Sequence, residues 1–167
     1  ALVTGGSSGI GLAIARVLAE AGYALTISSR RPEKLAAAAA QLRELGGTVV
    51  EAPADLSTEQ GVIDTVARHR EQLGRLDVLV NNVGDFRPAS KTFLDSTPEQ
   101  WQRLYELNLG HVLSVTHALL PRMVDQGHGA IVNNSTVEAF RGIPGHAVYS
   151  GLNAAVSAFT KSLAVEV

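Results

Sequence analysis

The sequence of 167 residues has no cysteine and almost no net charge. Without cysteine there can be no disulfides and no thiol catalysis, which fits a reducing compartment, and we predict a cytoplasmic location. The formal net charge of -2 gives no electrostatic basis for binding nucleic acid or an anionic membrane. We therefore expect neither kind of partner.

Long hydrophobic runs are missing too. No stretch approaches the roughly 20 apolar residues of a membrane span, and the N-terminus lacks the basic region and apolar core of a signal peptide. Apolar residues make up 46% of the sequence, which is ordinary for a soluble globular protein. The chain is long enough for one domain with a substantial core and has no linker or internal repeat, so we predict a single domain over residues 1–167.

Glycine is concentrated in one turn, directly after the apolar residues 1–3. Gly5, Gly9 and Gly11 have the spacing G-x-x-x-G-x-G and precede a helical pattern. Such a turn lets the backbone approach a phosphate, and the N-terminus of the following helix supplies free N–H groups and a positive dipole end. The spacing differs from the common dinucleotide pattern G-x-G-x-x-G but meets the same mechanical demands. A tight turn without a ligand is the alternative interpretation.

Strand and helix patterns alternate along the whole chain. Apolar runs predict strands over residues 1–4, 24–29, 48–52, 76–80 and 130–132. Helical periodicity predicts helices over residues 9–23, 32–45, 57–73, 97–126 and 146–167. Ser57 is the expected N-cap of the third helix. This alternation is typical of an α/β fold with a doubly wound parallel sheet of the Rossmann type.

Neither terminus has the pattern of a complete domain. The first strand begins at residue 1, without room for the usual five or six residues, and the last helix runs to residue 167 without a stop signal. A doubly wound dinucleotide sheet often has about six strands, and five are predicted here. We therefore expect a domain that is truncated at both ends and lacks its C-terminal strands. A truncated product that folds poorly is a further interpretation.

Five short motifs occur in the order of one enzyme family. They are residues 4–11, Asp55-Leu56 after the third strand, Asn81-Asn82-Val83-Gly84 after the fourth, Asn108-Leu109 in the long helix, and Tyr149 at the start of the last helix. On these motifs the sequence resembles the short-chain dehydrogenase/reductase family over its whole length. The resemblance implies reduction of a ketone, or oxidation of a secondary alcohol, with a nicotinamide cofactor.

The resemblance also implies a set of cofactor-binding residues. The glycine-rich turn would cradle the pyrophosphate, and Asp55, with Leu56 beside it, would bond the adenine amino group. Asn82 and Gly84 would form the wall beside the adenosine ribose. The set is Gly5, Ser7, Ser8, Gly9, Ile10, Gly11, Asp55, Leu56, Asn82 and Gly84. Two alternatives stay open, since Asp55 also suits a helix cap and Asn81-Asn82 a simple strand-ending turn.

The end of the second predicted strand carries two arginines and no acid. NAD-preferring sites place an acid there to accept from the ribose 2′-OH. Arg30 and Arg31 suit a 2′-phosphate instead, because arginine binds such oxyanions in a fork. We therefore predict NADP(H) as the cofactor, with NAD(H) as the alternative. A solvated basic turn is the interpretation without a ligand.

The catalytic residues implied by the resemblance include one departure from the family's pattern. Tyr149 matches the tyrosine that donates a proton to the substrate carbonyl. A phenol with an ordinary pKa near 10 needs a nearby cation to exchange protons near neutrality, and the family has a lysine four residues later. Here that residue is Asn153, and Lys161 lies about 18 Å along the helix. We therefore expect weakened or absent catalysis.

Three further polar residues complete the implied catalytic set. The family serine thirteen residues before the tyrosine is replaced by Thr136, next to Ser135, and either hydroxyl would polarise the carbonyl. Asn108 resembles the helix asparagine that anchors a water for proton relay. The alternatives are strand-end hydroxyls without a catalytic task and a plain structural role for the asparagine.

We predict no metal site, and the expected partners are a small-molecule substrate and further copies of the chain. Four histidines lack metal-ligand spacing and suit packing or surface roles: His111, His117, His128 and His146. The helices predicted over 97–126 and 146–167 resemble the family's dimer-forming pair, so a homodimer or homotetramer is expected. The predicted function is an NADP(H)-dependent oxidoreductase acting on small carbonyl or alcohol substrates. A non-catalytic nucleotide-binding protein, either a sensor or a partner subunit, is the alternative.

Overall fold

A parallel sheet of five strands forms the centre of the computed structural model, which describes residues 1–87 and 92–167. The strands are β1 Leu2–Thr4, β2 Leu25–Ser29, β3 Val49–Pro53, β4 Val78–Asn81 and β5 Ala130–Asn133. Their order in the sheet is β3-β2-β1-β4-β5, and every neighbouring pair is parallel. Each of the five predicted strands is present, within two residues of its expected bounds.

Helices cover both faces of this sheet. They are α1 Gly9–Glu20, α2 Pro32–Arg43, α3 Glu59–Gln72, α4 Pro98–Tyr105, α5 His111–Gln126 and α6 Ala147–Glu166. Successive residues of β1 point to opposite faces, so Val3 packs in a cluster with α1 and α2, and Leu2 packs in one with α3 and α5. The predicted doubly wound α/β fold is therefore confirmed. None of the described helices is both long and apolar enough to span a bilayer.

The start of α3 corrects one sequence prediction. Its N-cap is Thr58, whose Oγ1 accepts from the Gly61 amide at 3.1 Å. Ser57 instead donates its backbone amide and its hydroxyl to Asp55 Oδ1, at 3.0 and 2.7 Å. The prediction of Ser57 as the cap is wrong because the capping side chain must come from the extended residue directly before the first helical one.

The long helix predicted over 97–126 is interrupted. A capping box between Thr97 and Gln100 opens α4, and a π-helical turn over Glu106–Gly110 then joins α4 to α5. Such a turn holds one more residue than an α-helical turn, so the side chains on its two sides are rotated relative to one another. The helix ends at Gly127, which adopts the left-handed conformation with φ of 71°.

Candidate functional site

The order of the strands creates a crevice between β1 and β4. From β1 the chain proceeds outward to β2 and β3, and then returns to add β4 and β5 on the other side. The loops after β1 and β4 therefore leave the sheet in opposite directions. Ligands of open α/β sheets bind in such a crevice, at the carboxyl ends of the strands. The predicted motifs follow these same strands, so the topology brings them to one edge.

The glycine-rich turn packs closely against the loop after β4. Gly5 and Gly9 have φ values of 66° and 54°, a conformation that favours glycine. At Gly11, a Cβ atom would lie 2.5 Å from the Asn82 side-chain amide and would collide with the Gly5 carbonyl oxygen. Ser8 is the N-cap of α1, but its side chain makes no capping hydrogen bond. The first amides of α1 are therefore suited to hold an anion.

A cavity of about 240 Å³ lies at this turn. Its walls combine most of the predicted cofactor residues, namely Gly5, Ser7, Ser8, Arg30, Arg31, Asp55, Leu56, Asn82 and Gly84. Three residues of the predicted set do not line it: Gly9 and Ile10 are exposed, and Gly11 is buried. With 63% of its surface accessible, Ile10 contributes an apolar side chain outside the cavity. The two glycines act through the shape of the turn.

One rim of the cavity is cationic. Arg30 and Arg31 both line it and are exposed, and in the part of the chain that the structure describes neither guanidinium makes a hydrogen bond or an ion pair. Ser7 Oγ donates to Ser29 Oγ at 2.8 Å on the same rim. The buried Ser28 hydroxyl has no partner among the described residues. This arrangement fits an oxyanion such as a 2′-phosphate.

Asp55 contributes an ionised carboxylate to the cavity. Burial acts to raise its pKa, but the hydrogen bonds from Ser57 and the charges of Arg30 and Arg103 outweigh it and hold the pKa below its ordinary value. Both bonds from Ser57 go to Oδ1, which leaves Oδ2 as an acceptor for a ligand's amino group. The alternative of Asp55 as a helix cap is wrong, since Thr58 caps α3.

Asn82 ties strand ends together beside the cavity. Its backbone amide donates to Thr4 Oγ1 at 2.8 Å and its side chain to Thr4 O at 3.2 Å, while its Oδ1 accepts from Asn134 at 3.0 Å. Gly84 also lines the cavity, and a Cβ there would lie 3.2 Å from Asn108 Oδ1. The alternative of a strand-ending turn is correct in part, because Asn81 ends β4 and Asn82, directly after it, lines the cavity.

Tyr149 lies in the first turn of α6, with the Thr136 hydroxyl beside it. Burial raises the pKa of this phenol above its ordinary value, and the charges of Glu138 and Asp85 raise it further, although the Thr136 hydroxyl lowers it. The phenol therefore holds its proton tightly. That is the opposite of what proton exchange near neutrality requires.

Asn153 is buried and bonds to the backbone of its own helix. Its Nδ2 donates to the Tyr149 carbonyl oxygen at 3.0 Å, and its own carbonyl oxygen accepts from Ser135 Oγ at 3.1 Å. Ser135 is thereby committed to the helix backbone. Of the two predicted hydroxyls, it is that of Thr136 which stands next to the tyrosine. Position 153 thus supplies hydrogen bonds but no charge.

Asn108 lies within the π-helical turn and is buried. Its Nδ2 donates to the carbonyl oxygens of Leu104 and Asp85, both at 2.9 Å, and its Oδ1 accepts from the Asp85 amide at 3.2 Å. Both amide hydrogens are used, so the side chain clamps the loop after β4 to the helix. This is the structural role that the sequence left open, and the role as a water anchor stays a prediction.

The motifs missed three side chains around Tyr149. His146 Nδ1 lies 2.7 Å from Glu138 Oε2. Phe86 stacks on the His146 ring with centroids 5.4 Å apart and meets Tyr149 edge-on at 6.4 Å. Phe86 and Glu138 lie outside the predicted strands and helices, and His146 is the first residue of the last predicted helix, so residue type was their only signal. The described residues contain no group of three or more side chains placed to hold a metal ion.

Comparisons with known proteins agree with this geometry. Residues 1–167 match the family model described as short chain dehydrogenase. The chain is 41% identical to the acetoacetyl-CoA reductase of Rhizobium meliloti (strain 1021) over 166 residues, which are 99% of this chain and 66% of that protein.

Two solved structures are also similar. The L-sorbose reductase from Gluconobacter frateurii, complexed with NADPH and L-sorbose, has a TM-score of 0.94 at 35% identity, covering 99% of this chain and 62% of that one. NAD+-bound xylitol dehydrogenase has a TM-score of 0.93 at 32% identity, with coverages of 99% and 63%. The chain spans about two thirds of the length of these relatives. It belongs to the short-chain dehydrogenase family.

Proposed function

We propose that this chain is the nucleotide-binding and catalytic core of an NADP(H)-dependent oxidoreductase that reduces a ketone or oxidises a secondary alcohol. The observation that carries the proposal is the cavity at the carboxyl edge of the sheet, which shares that edge with the pair Tyr149 and Thr136. Family membership and the NADPH complex of the L-sorbose reductase support it. The absence of cysteine supports a cytoplasmic location.

The cavity residues fit a dinucleotide with a 2′-phosphate. The glycine-rich turn and the first amides of α1 would hold the pyrophosphate, and Asp55 would accept from the adenine amino group. Arg30 and Arg31 would bind the 2′-phosphate in a charge-assisted fork. When bound, the nicotinamide supplies or accepts a hydride.

The proton chemistry belongs to the chain itself. The Tyr149 hydroxyl would donate its proton to the carbonyl oxygen of the substrate, and the Thr136 hydroxyl would polarise the same oxygen. Because Asn153 carries no charge and the pKa of Tyr149 is raised, proton exchange at the phenol is slow near neutrality. We therefore propose weakened turnover.

A non-catalytic NADP(H)-binding protein is the second candidate, and Asn153 is the observation that favours it. The cavity is lined by residues between 5 and 107, whereas Tyr149, Thr136 and Asn153 come later in the chain. Nucleotide binding does not need the later residues to be chemically active. A sensor or partner subunit could therefore keep the cavity and dispense with catalysis.

Binding and turnover, measured on the same preparation, separate the two candidates. NADPH and NADH are titrated by calorimetry, and oxidation of NADPH is then followed by absorbance with acetoacetyl-CoA and with L-sorbose. Binding with turnover supports the oxidoreductase, and binding without turnover supports the second candidate. No binding of either cofactor would refute both.

The cofactor preference is tested at the cationic rim. We expect NADPH to bind more tightly than NADH. In the double variant Arg30→Asp with Arg31→Ala, NADPH should lose about 1.5–3 kcal/mol of binding free energy, the worth of a hydrogen bond to a charged group. Arg68→Asp, which reverses the charge of an exposed arginine of α3 outside the cavity, is the control. Equal affinities of the unmodified protein for the two cofactors would contradict the preference.

We also propose a homodimer or homotetramer. The helical run of α4 and α5 together with α6 would form the interface, because α6 carries a row of small residues that permits close helix approach: Ala154, Ala155, Ser157 and Ala158. Light scattering on the full-length protein measures the mass directly. A monomer at every concentration would refute this proposal.

A further inference from the structure

His146 and Glu138 form a largely buried pair beside Tyr149. Glu138 lies in the single 3-10 turn Val137–Ala139 after β5, and His146 directly precedes α6. Their side chains are 16% and 19% exposed, and Nδ1 lies 2.7 Å from Oε2. A carboxylate oxygen only accepts, so Nδ1 carries a hydrogen in both charge states of the imidazole. Nε2 is therefore the atom that gains and loses the proton.

The imidazole lies in direct contact with the proposed acid. The ring centroids of His146 and Tyr149 are 6.0 Å apart, and the rings meet edge to face at 82°. Phe86 stacks against His146 and touches Tyr149 from the loop after β4. The three rings form one cluster, drawn from two loops and the start of α6. Proton transfer between the two polar groups requires a direct hydrogen bond or one bridging water.

The other polar groups around Tyr149 cannot supply a proton at neutrality. Asp85 is ionised and bonded to Arg87 at 3.1 and 3.0 Å, and a guanidinium does not release its proton in proteins. Glu138 is the acceptor for His146. Asn153 is neutral and donates to the helix backbone.

The amide of Asn108 is also unable to take part, because both of its hydrogens are donated to carbonyl oxygens. The hydroxyl of Thr136 exchanges protons too weakly near neutrality to recharge a phenolate. Among the described residues packed around Tyr149, His146 is therefore the side chain with a ring nitrogen that can both carry and release a proton.

We propose that His146, oriented by Glu138, replenishes the proton of Tyr149 during carbonyl reduction, the task for which the chain has no lysine at position 153. This inference rests on the proposed function. In each turnover the carbonyl carbon gains a hydride from the reduced nicotinamide, and the carbonyl oxygen gains the proton of Tyr149. The phenolate then takes the proton of the imidazolium Nε2, directly or through one water. Neutral His146 recovers a proton from solvent, so one hydride and one proton are consumed for each alcohol formed.

Glu138 is a positioning residue in this scheme. Its carboxylate stabilises the imidazolium through a charge-assisted hydrogen bond and fixes the ring. On its own it would only oppose ionisation of Tyr149, since its charge raises the pKa of the phenol. When it is paired with His146, the same negative charge stabilises the imidazolium that donates the proton. Glu138→Gln should therefore slow turnover in the same direction as loss of His146, but by a smaller factor.

The proposal is tested in the full-length protein by chemical rescue of a variant that lacks the imidazole of His146. NADPH oxidation is measured with acetoacetyl-CoA and L-sorbose from pH 6 to 9, for the wild type and for His146→Ala. We expect kcat to fall at least about tenfold, with KM little changed, and added imidazole to restore the rate as its concentration rises. His117→Ala, an exposed histidine of α5, is the matched control and should show neither effect.

Two further readouts separate a proton donor from a packing role. We expect the kcat of the wild type to decline with rising pH, and His146→Gln, which keeps the bulk of a polar side chain, should lose that decline. The Kd for NADPH, measured by calorimetry, should stay within about twofold in both variants, because His146 does not line the nucleotide cavity. A variant that binds NADPH normally and is not rescued by imidazole would overturn the proposal.

The outcomes also distinguish this inference from the function on which it rests. If the wild type turns over and His146→Gln has the same kcat and pH profile, the inference fails and the proposed function stands. If the wild type binds NADPH but turns over neither substrate, both fail together. Rescue by imidazole in His146→Ala, and no rescue in Tyr149→Phe, would support both.

Discussion

Acid should destabilise this protein through one buried imidazole, that of His69 in α3. The side chain is 1% exposed. Its Nε2 lies 3.2 Å from the Arg75 carbonyl oxygen, and its Nδ1 lies 2.8 Å from Thr26 Oγ1. Since a carbonyl oxygen only accepts, Nε2 carries the hydrogen and Nδ1 accepts from the threonine hydroxyl. The neutral ring is thus fully satisfied, and a second proton on Nδ1 would disrupt this arrangement.

The size of the effect follows from the pKa of His69. Burial above all, aided by the charges of the Ala1 ammonium and Arg70, lowers this pKa from 6.5 to about 4. The pKa of His69 is lower in the folded state than in the unfolded state. The contribution of this neutral imidazole to the free energy of unfolding is therefore fully present above pH 6.5 and is lost as the pH falls toward 4. A shift of about 2.5 units corresponds to at most about 3.4 kcal/mol, of which about 2 kcal/mol is lost between pH 7 and pH 5.

Urea unfolding at pH 7 and pH 5 measures this loss. His69→Gln removes the titration while keeping one donor and one acceptor, so between the two pH values it should lose about 2 kcal/mol less than the wild type. His111, whose pKa burial lowers to about 4, adds a similar pH dependence to both proteins and cancels in the comparison. His117→Gln, at an exposed position, should behave as the wild type. Identical pH dependence in the wild type and His69→Gln would refute the reasoning.

Three other changes probe the site and the fold. Asn153→Lys should raise NADPH-dependent ketone reduction at neutral pH by about tenfold or more, since each unit of lowered phenol pKa is worth about 1.4 kcal/mol. A further Tyr149→Phe change should abolish this gain. An unchanged rate with intact NADPH binding would favour the non-catalytic candidate. Gly11→Ala should weaken NADPH binding in calorimetry and cost about 1–3 kcal/mol of unfolding free energy, whereas Gly151→Ala, with open space around it, should leave both nearly unchanged or slightly improved. Thr58→Ala should cost about 1 kcal/mol in urea unfolding because α3 loses its cap, and Thr58→Ser should recover most of it; equal stability of the alanine and serine variants would argue against the cap.

The strands and the cofactor edge were predictable because their causes are local in sequence. Buried parallel strands read as continuous apolar runs, as in residues 76–80 for β4. The glycine-rich turn needs residues without a Cβ at fixed positions, and Gly11 shows why, since any side chain there would collide with Gly5. The strand order then follows from the rules for doubly wound sheets.

Other features depend on contacts that no local pattern encodes. The sequence offers Asp55, Ser57 and Thr58 within four positions, all of them capping types, and only the backbone path decides that Thr58 caps α3. Glu138 and His146 are eight positions apart in an irregular segment, so their hydrogen bond has no signal in periodicity. Residue type alone could not relate either of them to the tyrosine.

The π-helical turn over Glu106–Gly110 fixes the rotation of α4 relative to α5 about the helix axis. Each residue of an α-helix turns the chain by about 100°, so deletion of one residue between Asn108 and α5 would rotate α4 and Asn108 by that angle relative to α5. The core fixes α5 through Val115 and Leu119, and the rotation would therefore carry Asn108 away from Asp85, which it holds by two hydrogen bonds. The loop after β4 would lose its clamp although no side chain of the cavity had been substituted. In this segment the number of residues matters as well as their identity.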